Sequence, residues 1–463
     1  MPTPKTGGGL KAAFVLILAA SAAAAAFLTI RQTKTGTRTA TAAYSPKPAG
    51  SLTFARDIAP IVFDKCSPCH RPGQSGPFSL LTCNDFKERA KTIQKVTQSR
   101  YMPPWLPEPG DVDFAYDRSL TSEQLGLLGQ WLAEGAAEGH SEDVPALPKW
   151  PDEWQLGKPD LILSLPSAYT LAAEGRDVYR NFVVPIPGMD NRFVRAVEFH
   201  PGNHKVVHHA FIEIDAKRES RYLTGDSQPP GFDGMELPPS VKMPMGQTLG
   251  WQPGKPPLQS PEGLAWVLQP RSDLVLQLHL HPTGKPESVL PSVGLYFTDR
   301  PPTNTPFLLK LARYDIDIAP GRKDYQIENS YVLPVDVELM RINPHAHYLG
   351  KQLEGWAVLP DGTRKSLLMI KNWDFNWQGD YLYKQPVSLP KGTTLFMRFG
   401  FDNSAENIRN PNQPPKRVQF GLQTTDEMGE LWFQLLPRNS SDLAILSKDY
   451  FMKYAKDTIE VNQ

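Results

Sequence analysis

The sequence predicts a multidomain chain in which a small all-α domain precedes two all-β domains. The chain has 46 prolines in 463 residues, about twice the average share, and proline favours turns and strand edges over helix interiors. Apolar residues recur at helical spacing only in short segments between about residues 51 and 140. From about residue 160 onward, short segments alternate between apolar and polar residues with the period of two that strands have.

The first segment of the chain predicts export. Lys5 and Lys11 precede an apolar run from Ala12 to Ile30, close to the roughly 20 residues that span a bilayer. Ala40-Thr41-Ala42 resembles a signal-peptide cleavage site, although it lies unusually far from the run. We therefore expect residues 1–31 to be an uncleaved signal anchor, with a cleaved signal peptide or a buried soluble helix as alternatives. The remaining chain would be periplasmic or otherwise extracytoplasmic, anchored to the inner membrane.

Composition and the positions of turn-forming and helix-capping residues suggest how the exported part is divided into domains. The 49 basic and 49 acidic residues cancel, and no basic stripe favours binding to nucleic acid. The sequence DRPPTNTP separates two β-patterned regions, and Thr121 with Gln124 predicts a capping box at the start of a helix. The final stretch, SDLAILSKDYFMKYAKD, predicts a closing helix. The predicted divisions are a tether at 32–50, the α domain at 51–140, a linker at 141–159, and β domains at 160–300 and 301–463.

The sequence CSPCH, which begins at Cys66, has the CxxCH pattern of covalent haem attachment. In this pattern two thiols bond to the haem vinyl groups and the histidine ligates the iron. Cys66 and Cys69 are therefore the predicted attachment points of a haem c, and His70 is its predicted proximal ligand. A structural zinc site is the alternative, but a second ligand pair of suitable spacing is missing.

The second axial ligand of the haem is a separate prediction. Met102, in YMPPW, is the only methionine in this region, and a thioether ligand suits electron transfer. Core packing of Met102 and ligation by His140 are the alternatives. With Met102 as ligand, the segment resembles a small class I cytochrome c domain. Cys83 is left over, and we expect it to be a small buried apolar residue.

The remaining histidines lie in strand-like segments. In LVLQLHLHP, alternation places four leucines on a core-facing side and His279 with His281 on the other side. His345 and His347 share one face in PHAHYLGK. Imidazole is a favoured ligand of copper and zinc, although surface or core histidines explain each pair taken alone.

A third histidine pair, in VVHHAFIEI, does not fit simple alternation. The adjacent residues His208 and His209 should point to opposite faces of a strand. Joint ligation of one ion by this pair therefore requires a local bulge or one ring that reaches around the strand.

Residues from about 160 to 437 resemble the copper type II, ascorbate-dependent monooxygenases, the family of dopamine β-monooxygenase and peptidylglycine α-hydroxylating monooxygenase. VVHHAFIEI, LVLQLHLHP, HAHYLGK and TTDEMGELW are similar, in this order, to four motifs of the family. The resemblance implies two jelly-roll-like β-sandwich domains with one copper ion each. The implied ligands of the electron-transfer copper are His208, His209 and His279. The implied ligands of the oxygen-activating, catalytic copper are His345, His347 and Met428.

Several residues qualify this resemblance. The soft thioether of Met428 favours Cu(I), the form that meets O₂, and core packing is its alternative role. His281, His200 and His204 have no ligand role in the family and are expected to support the site or lie at the surface. Asn343 stands where the peptide-hydroxylating member has an arginine, so a C-terminal glycine carboxylate is not the expected substrate.

Together the haem motif and the resemblance imply an exported haem- and copper-dependent monooxygenase. The implied reaction is R–H + O₂ + 2e⁻ + 2H⁺ → R–OH + H₂O on an unidentified small-molecule substrate. The electrons would come from an upstream donor, either ascorbate or a periplasmic redox carrier, and would enter through the fused haem. The alternative is a membrane-tethered electron-transfer or copper-binding protein without turnover.

Overall fold

In the computed structural model, β-sheets dominate and helices are few. The structure describes residues 44–150, 154–188 and 190–461, with side chains up to residue 455. The predicted signal anchor and most of the predicted tether lie outside these residues. Within the part of the chain that is described, no helix is both long and apolar enough to cross a bilayer.

Four short α-helices form the first structural unit. A π-helical turn at Phe54–Ile58 precedes them, and the rings of Phe54 and Phe86 pack against Trp131 at centroid distances of 6.0 and 5.7 Å. The predicted capping box is present, because Thr121 and Gln124 bond reciprocally at the start of the fourth helix. Cys83 is buried in this small core, as expected. The helices are α1 (Ala59–Lys65), α2 (Cys83–Lys87), α3 (Ala90–Gln98) and α4 (Ser122–Ala133).

Thirteen strands form the N-terminal β domain, residues 161–298. One sheet has the order β1-β13-β4-β10 with β9 beside β4, and the other has the order β6-β3-β11-β5-β7 with β8 beside β5. β2 and β12 pair separately. Apolar side chains of the two larger sheets form a single core between them. The strands are β1 (Leu161–Ser164), β2 (Tyr169–Leu171), β3 (Val178–Pro185), β4 (Arg192–His200), β5 (Val207–Asp215), β6 (Gly231–Asp233), β7 (Val241–Lys242), β8 (Gly250–Trp251), β9 (Leu258–Gln259), β10 (Trp266–Leu268), β11 (Asp273–Leu280), β12 (Glu287–Val289) and β13 (Ser292–Thr298).

Ten further strands form the C-terminal β domain, residues 307–437. Two four-stranded sheets, β14-β23-β17-β20 and β16-β21-β18-β19, enclose a second core, and β15 pairs with β22. The predicted closing helix is α5 (Asp442–Val461). The strands are β14 (Phe307–Ala312), β15 (Asp317–Ile318), β16 (Tyr325–Val332), β17 (Val337–Ala346), β18 (Gly350–Val358), β19 (Arg364–Ile370), β20 (Tyr381–Leu389), β21 (Thr394–Phe401), β22 (Val418–Gln419) and β23 (Gly429–Pro437).

The stretch 105–114 leaves the helical unit and packs on the C-terminal β domain. Phe114 is only 8% exposed, and its ring stacks on Tyr383 at 5.1 Å. The backbone N–H of Glu108 donates to the Met369 carbonyl at 2.7 Å, which adds a further link to the edge of β19. The range 51–140 therefore contributes to two hydrophobic cores.

Candidate metal centres

The central strand β11 carries the first histidine group. Its leucines at 274, 276, 278 and 280 pack into the core of the N-terminal β domain, as predicted. His279 lies on the opposite face and is only 2% exposed. Its ring stacks nearly parallel on Tyr179 of the neighbouring β3, with centroids 4.3 Å apart. Both faces of β11 are thus covered, and the histidine is held in a fixed orientation.

A β-bulge in β5 solves the problem of the adjacent histidines. His279 pairs with His209, but the next residue, Leu280, pairs with Val207, so that His208 is the extra residue. An extra residue bends the strand and re-aims its side chain. As a result, Nδ1 of His209 lies 3.2 Å from Nδ1 of His208 and 3.3 Å from Nδ1 of His279. The bulge that joint ligation required is therefore present.

These separations fit ligands of one metal ion. Two imidazole nitrogens bound to one ion at about 2.0 Å each lie about 3.3 Å apart when the bond angle is tetrahedral. Burial lowers the pKa of His208 to about 4 and, reinforced by neighbouring histidines, lowers the pKa of His209 well below its usual value. The rings are therefore neutral near pH 7, and their lone pairs are available to a metal.

Asp177, just before β3, orients two rings of this group. Nε2 of His279 lies 3.0 Å from one carboxylate oxygen of Asp177, and Nδ1 of His281 lies 2.7 Å from the other. Burial works against ionisation of Asp177, but the contacts with these two rings outweigh it and lower the pKa of the carboxyl group. A carboxylate bonded to one ring nitrogen leaves the other nitrogen for a metal and fixes the direction of the ring.

The third ligand of this group has two candidates in the structure. His208, His279 and His281 can each offer one nitrogen within 4.8 Å of the others. His209 faces both His208 and His279 through Nδ1 alone. We retain His209 as the third ligand because its Nδ1 lies only 3.2 Å from His208 and 3.3 Å from His279. His281 lies at the partly exposed edge of the group. His200 and His204 lie apart, near Trp154 and Trp251 respectively.

His345 and His347 form the second histidine group, at the end of β17. Nδ1 of His345 lies 2.6 Å from Oε1 of Gln378, and Nδ1 of His347 lies 3.1 Å from the Asp426 carbonyl oxygen. Both contacts leave Nε2 free for a metal. The two rings stand edge to face with centroids 5.2 Å apart, and burial lowers the pKa of His347 to about 3.

Met428 lies near His347 along the backbone, because the Glu427 side chain accepts hydrogen bonds from the backbone N–H groups of both residues. His345 pairs with Glu430 and Ala346 with Gly429, where the pairing of the two strands ends. Met428 is half-buried and directly precedes the first residue of β23. Ligation of a metal by Met428 remains a prediction.

A fully buried carboxyl group holds the backbone around this pair. Glu427 accepts hydrogen bonds from the backbone N–H groups of His347, Leu349 and Met428, the last two at 2.9 and 2.8 Å. Burial raises the pKa of Glu427 to about 8, and the backbone donors oppose that shift. One side chain thus fixes the loops that carry His347 and Met428.

The two histidine groups face each other across the boundary between the β domains. The charge of His345 contributes to the lowered pKa of His209, after burial and the nearer histidines. Tyr179 and Tyr348 are also close enough to influence each other, and burial raises the pKa of Tyr179 to about 12. The groups belong to different sheets of different domains but share one region of the molecule.

The haem motif follows α1 directly and meets the N-terminal β domain. Nδ1 of His70 lies 3.1 Å from the Phe78 carbonyl oxygen, which leaves Nε2 free to ligate iron. Cys66 and Cys69 are not joined in a disulfide. A Cβ on Gly254 would meet Cys69 Sγ at 3.3 Å, so Cys69 lies against the loop that follows β8. Covalent haem attachment at these three residues remains a prediction.

Met102 lines a cavity of about 740 Å³, within the range of about 300–1,000 Å³ that cofactor pockets occupy. Pro103, Leu120 and Asn372 also line it. Cys66, Cys69 and His70 are not among its lining residues, so this cavity does not bring the two predicted axial ligands together. Ligation by Met102 remains a prediction.

Comparison with known proteins gives little further information. No protein-family model matches the chain, and no curated protein matches it. The chain is similar to the major capsid protein P2 from Bacteriophage PM2 at 11% identity and a TM-score of 0.26, covering 60% of this chain and 99% of that one. The chain is similar to PNGF-II at 11% identity and a TM-score of 0.21, covering 67% of this chain and 70% of that one. It is similar to a structure of infectious bursal disease virus Gt strain at 9% identity and a TM-score of 0.15, covering 60% of this chain and 72% of that one. At these TM-scores the likenesses support no argument about fold family or activity.

Proposed function

We propose that the chain is an exported copper-dependent monooxygenase that receives electrons through a fused c-type haem. The observation that carries this proposal is the pair of facing histidine groups. In the first group, Nδ1 of His209 lies 3.2 Å from Nδ1 of His208 and 3.3 Å from Nδ1 of His279. In the second group, contacts with oxygen acceptors leave Nε2 of both His345 and His347 free. Such buried, pre-oriented imidazoles suit copper, and the thioether of Met428 would favour Cu(I) at the second site.

The residues of this chain would divide the work between two sites. His208, His209 and His279 would hold an electron-storing copper, with Asp177 fixing the ring of His279. The ligands of the second copper would be His345, His347 and Met428, with Glu427 and Gln378 fixing their positions. When bound, copper at the second site would supply the O₂ chemistry that inserts one oxygen atom into a C–H bond. Burial, which lowers the pKa of His208, His209 and His347, would keep these rings neutral.

The helical unit would be a small class I cytochrome c domain that delivers electrons. Cys66 and Cys69 would attach the haem, and His70 would ligate the iron through Nε2. Fusion in one chain raises the effective concentration of this donor at the copper domains. We propose that the electrons reach the three-histidine site first, because that site stores the electron in the implied reaction.

Copper content and O₂ consumption test this function. Protein produced with haem-maturation machinery should retain its haem after denaturation and extraction with acidic acetone, and it should contain two copper ions. With a substrate library, O₂ consumption should depend on both metals. Complete extraction of the haem would refute the c-type assignment, and a protein with no copper would refute the monooxygenase.

Variants separate the two copper sites. His345→Ala and Met428→Ile should each stop hydroxylation yet leave copper at the three-histidine site. His279→Ala should stop oxidation of prereduced haem during turnover. Loss of both copper ions in His345→Ala would mean that the histidines form a single cluster, and product formation with the haem still reduced would show that the haem is not the donor.

A further inference from the structure

The segment 374–380, which lies between β19 and β20, contacts both β domains. We call it the bridging segment. The Asn376 backbone carbonyl lies beside the His208 ring. Gln252 Nε2 donates to the Gln378 backbone carbonyl at 2.6 Å, and Lys255 pairs with Asp380 at 2.8 Å. These contacts attach the segment to the N-terminal β domain, including one metal-ligand candidate.

The same segment also contacts the second histidine group. The side chain of Gln378 reaches His345 Nδ1 at 2.6 Å. The ring of Phe375 lies 5.6 Å from that of His347 and 4.7 Å from that of Tyr348. One stretch of seven residues therefore touches His208 in one group and both histidines in the other.

A buried ionic cluster fixes the end of the bridging segment. The Asp380 side chain is 5% exposed and pairs with Lys255, 9% exposed, from the N-terminal β domain. It also pairs with Arg341 of β17 at 2.6 Å. A single buried carboxylate is thus paired with one cation from each β domain, and separating the domains would break one of these pairs. The two β domains therefore resist separation at this point.

The bridging segment also reaches the helical unit. The ring of Trp377 lies 6.3 Å from that of Tyr101, which directly precedes the predicted iron ligand Met102. The segment is thus in contact with all three structural units.

We propose that the bridging segment sets the separation of the two histidine sites and that Gln378 is a positioning residue for His345. This inference rests on the proposed function, because it concerns sites that hold copper. Under this proposal, Gln378 keeps Nε2 of His345 directed at the metal. The Lys255–Asp380 pair keeps the distance between the two metal sites constant. The segment therefore couples the geometry of one site to that of the other.

Pulsed electron paramagnetic resonance on the full haem-containing chain loaded with Cu(II) tests the separation. The wild type should show one narrow distribution of Cu–Cu distances. Lys255→Met should at least double the width of this distribution. The matched control is Lys310→Met, which breaks a similar pair with Glu430, 2.8 Å apart, inside the C-terminal β domain and should leave the width unchanged.

Copper affinity tests the role of Gln378. Loss of a side chain that orients a ligand typically costs about 10–100-fold in metal affinity. Gln378→Leu should lower the affinity of the His345 site by this factor and leave the three-histidine site unchanged, and Gln378→Glu should restore most of the loss. An unchanged distance distribution in Lys255→Met together with wild-type affinity in Gln378→Leu would overturn the inference.

A metal-free measurement separates this inference from the proposed function. If the wild type binds fewer than two copper ions, the proposed function fails, and ¹⁵N spectra of histidine-labelled apoprotein then decide about the bridging segment. Gln378→Leu should shift the ring-nitrogen signals of His345, and Lys255→Met should shift those of both His208 and His345. Wild-type signals in both variants would show that the segment is only a connection.

Discussion

Replacing Glu427 by alanine should loosen the second histidine group more than any other single change outside its ligands. The backbone N–H groups of His347, Leu349 and Met428 would lose their shared acceptor in a fully buried place. Each orphaned donor costs about 1–3 kcal/mol, and water entering the vacated space offsets part of this. We therefore expect Glu427→Ala to destabilise the C-terminal β domain by about 3–5 kcal/mol.

Hydrogen exchange and copper titration measure this effect. Backbone amides of 347–349 should exchange roughly 100-fold faster or more in the variant, as expected for a local loss of about 3 kcal/mol. The copper affinity of the His345 site should fall as well. Glu338→Ala, at the other end of β17, removes a contact with Arg438 and should leave both readouts near wild type. Unchanged exchange at 347–349 would refute the role assigned to Glu427.

Three further predictions concern other parts of the molecule. Asp177→Asn should lower the copper affinity of the three-histidine site by about 10–100-fold at an unchanged melting temperature, and wild-type affinity would contradict its orienting role. Burial raises the pKa of the Glu213 carboxyl group from 4.5 to about 7. The preference of the folded state for the protonated group therefore stabilises the protein fully below about pH 4.5, and this stabilisation is lost as the pH rises through 7. Glu213→Gln should therefore stabilise the protein by roughly 2–3 kcal/mol at about pH 8 but not at about pH 4, as denaturant titrations at the two values would show. Phe114→Ala should destabilise the C-terminal β domain by about 3–5 kcal/mol. An effect confined to the helical unit would contradict the placement of Phe114 in the core of the C-terminal β domain.

The strands that carry histidines could be predicted because their patterns are local. LVLQLHL has leucine at every second position, and β11 occupies Asp273–Leu280. The adjacent pair His208 and His209 could share a ligand role only if the strand was irregular, and β5 has its bulge at that point. Alternation along a strand is a short-range property, so these features are readable without tertiary information.

The residues that orient the ligands could not be predicted in the same way. Asp177 lies in a polar stretch with no motif, and it meets His279 only because β3 pairs with β11. Gln378 reaches His345 from a loop more than 30 residues further along the chain. The stretch 105–114 follows the haem motif in sequence, yet Phe114 packs in the core of a distant domain. Each of these contacts depends on tertiary packing rather than on periodicity.

Both histidine groups share a physical design that argues for metal binding over simple core packing. A histidine that only fills space needs one hydrogen-bond partner and has no reason to direct its second nitrogen at another histidine. Here His279 and His347 each have one nitrogen beside an oxygen atom, from Asp177 and from the Asp426 backbone. Burial keeps both rings neutral by lowering their pKa. Neutral imidazoles with opposed lone pairs are unfavourable without a shared proton or cation between them. We propose that a bound metal ion relieves that opposition among His208, His209 and His279, and its removal should then leave these strands less protected from hydrogen exchange than their burial alone implies.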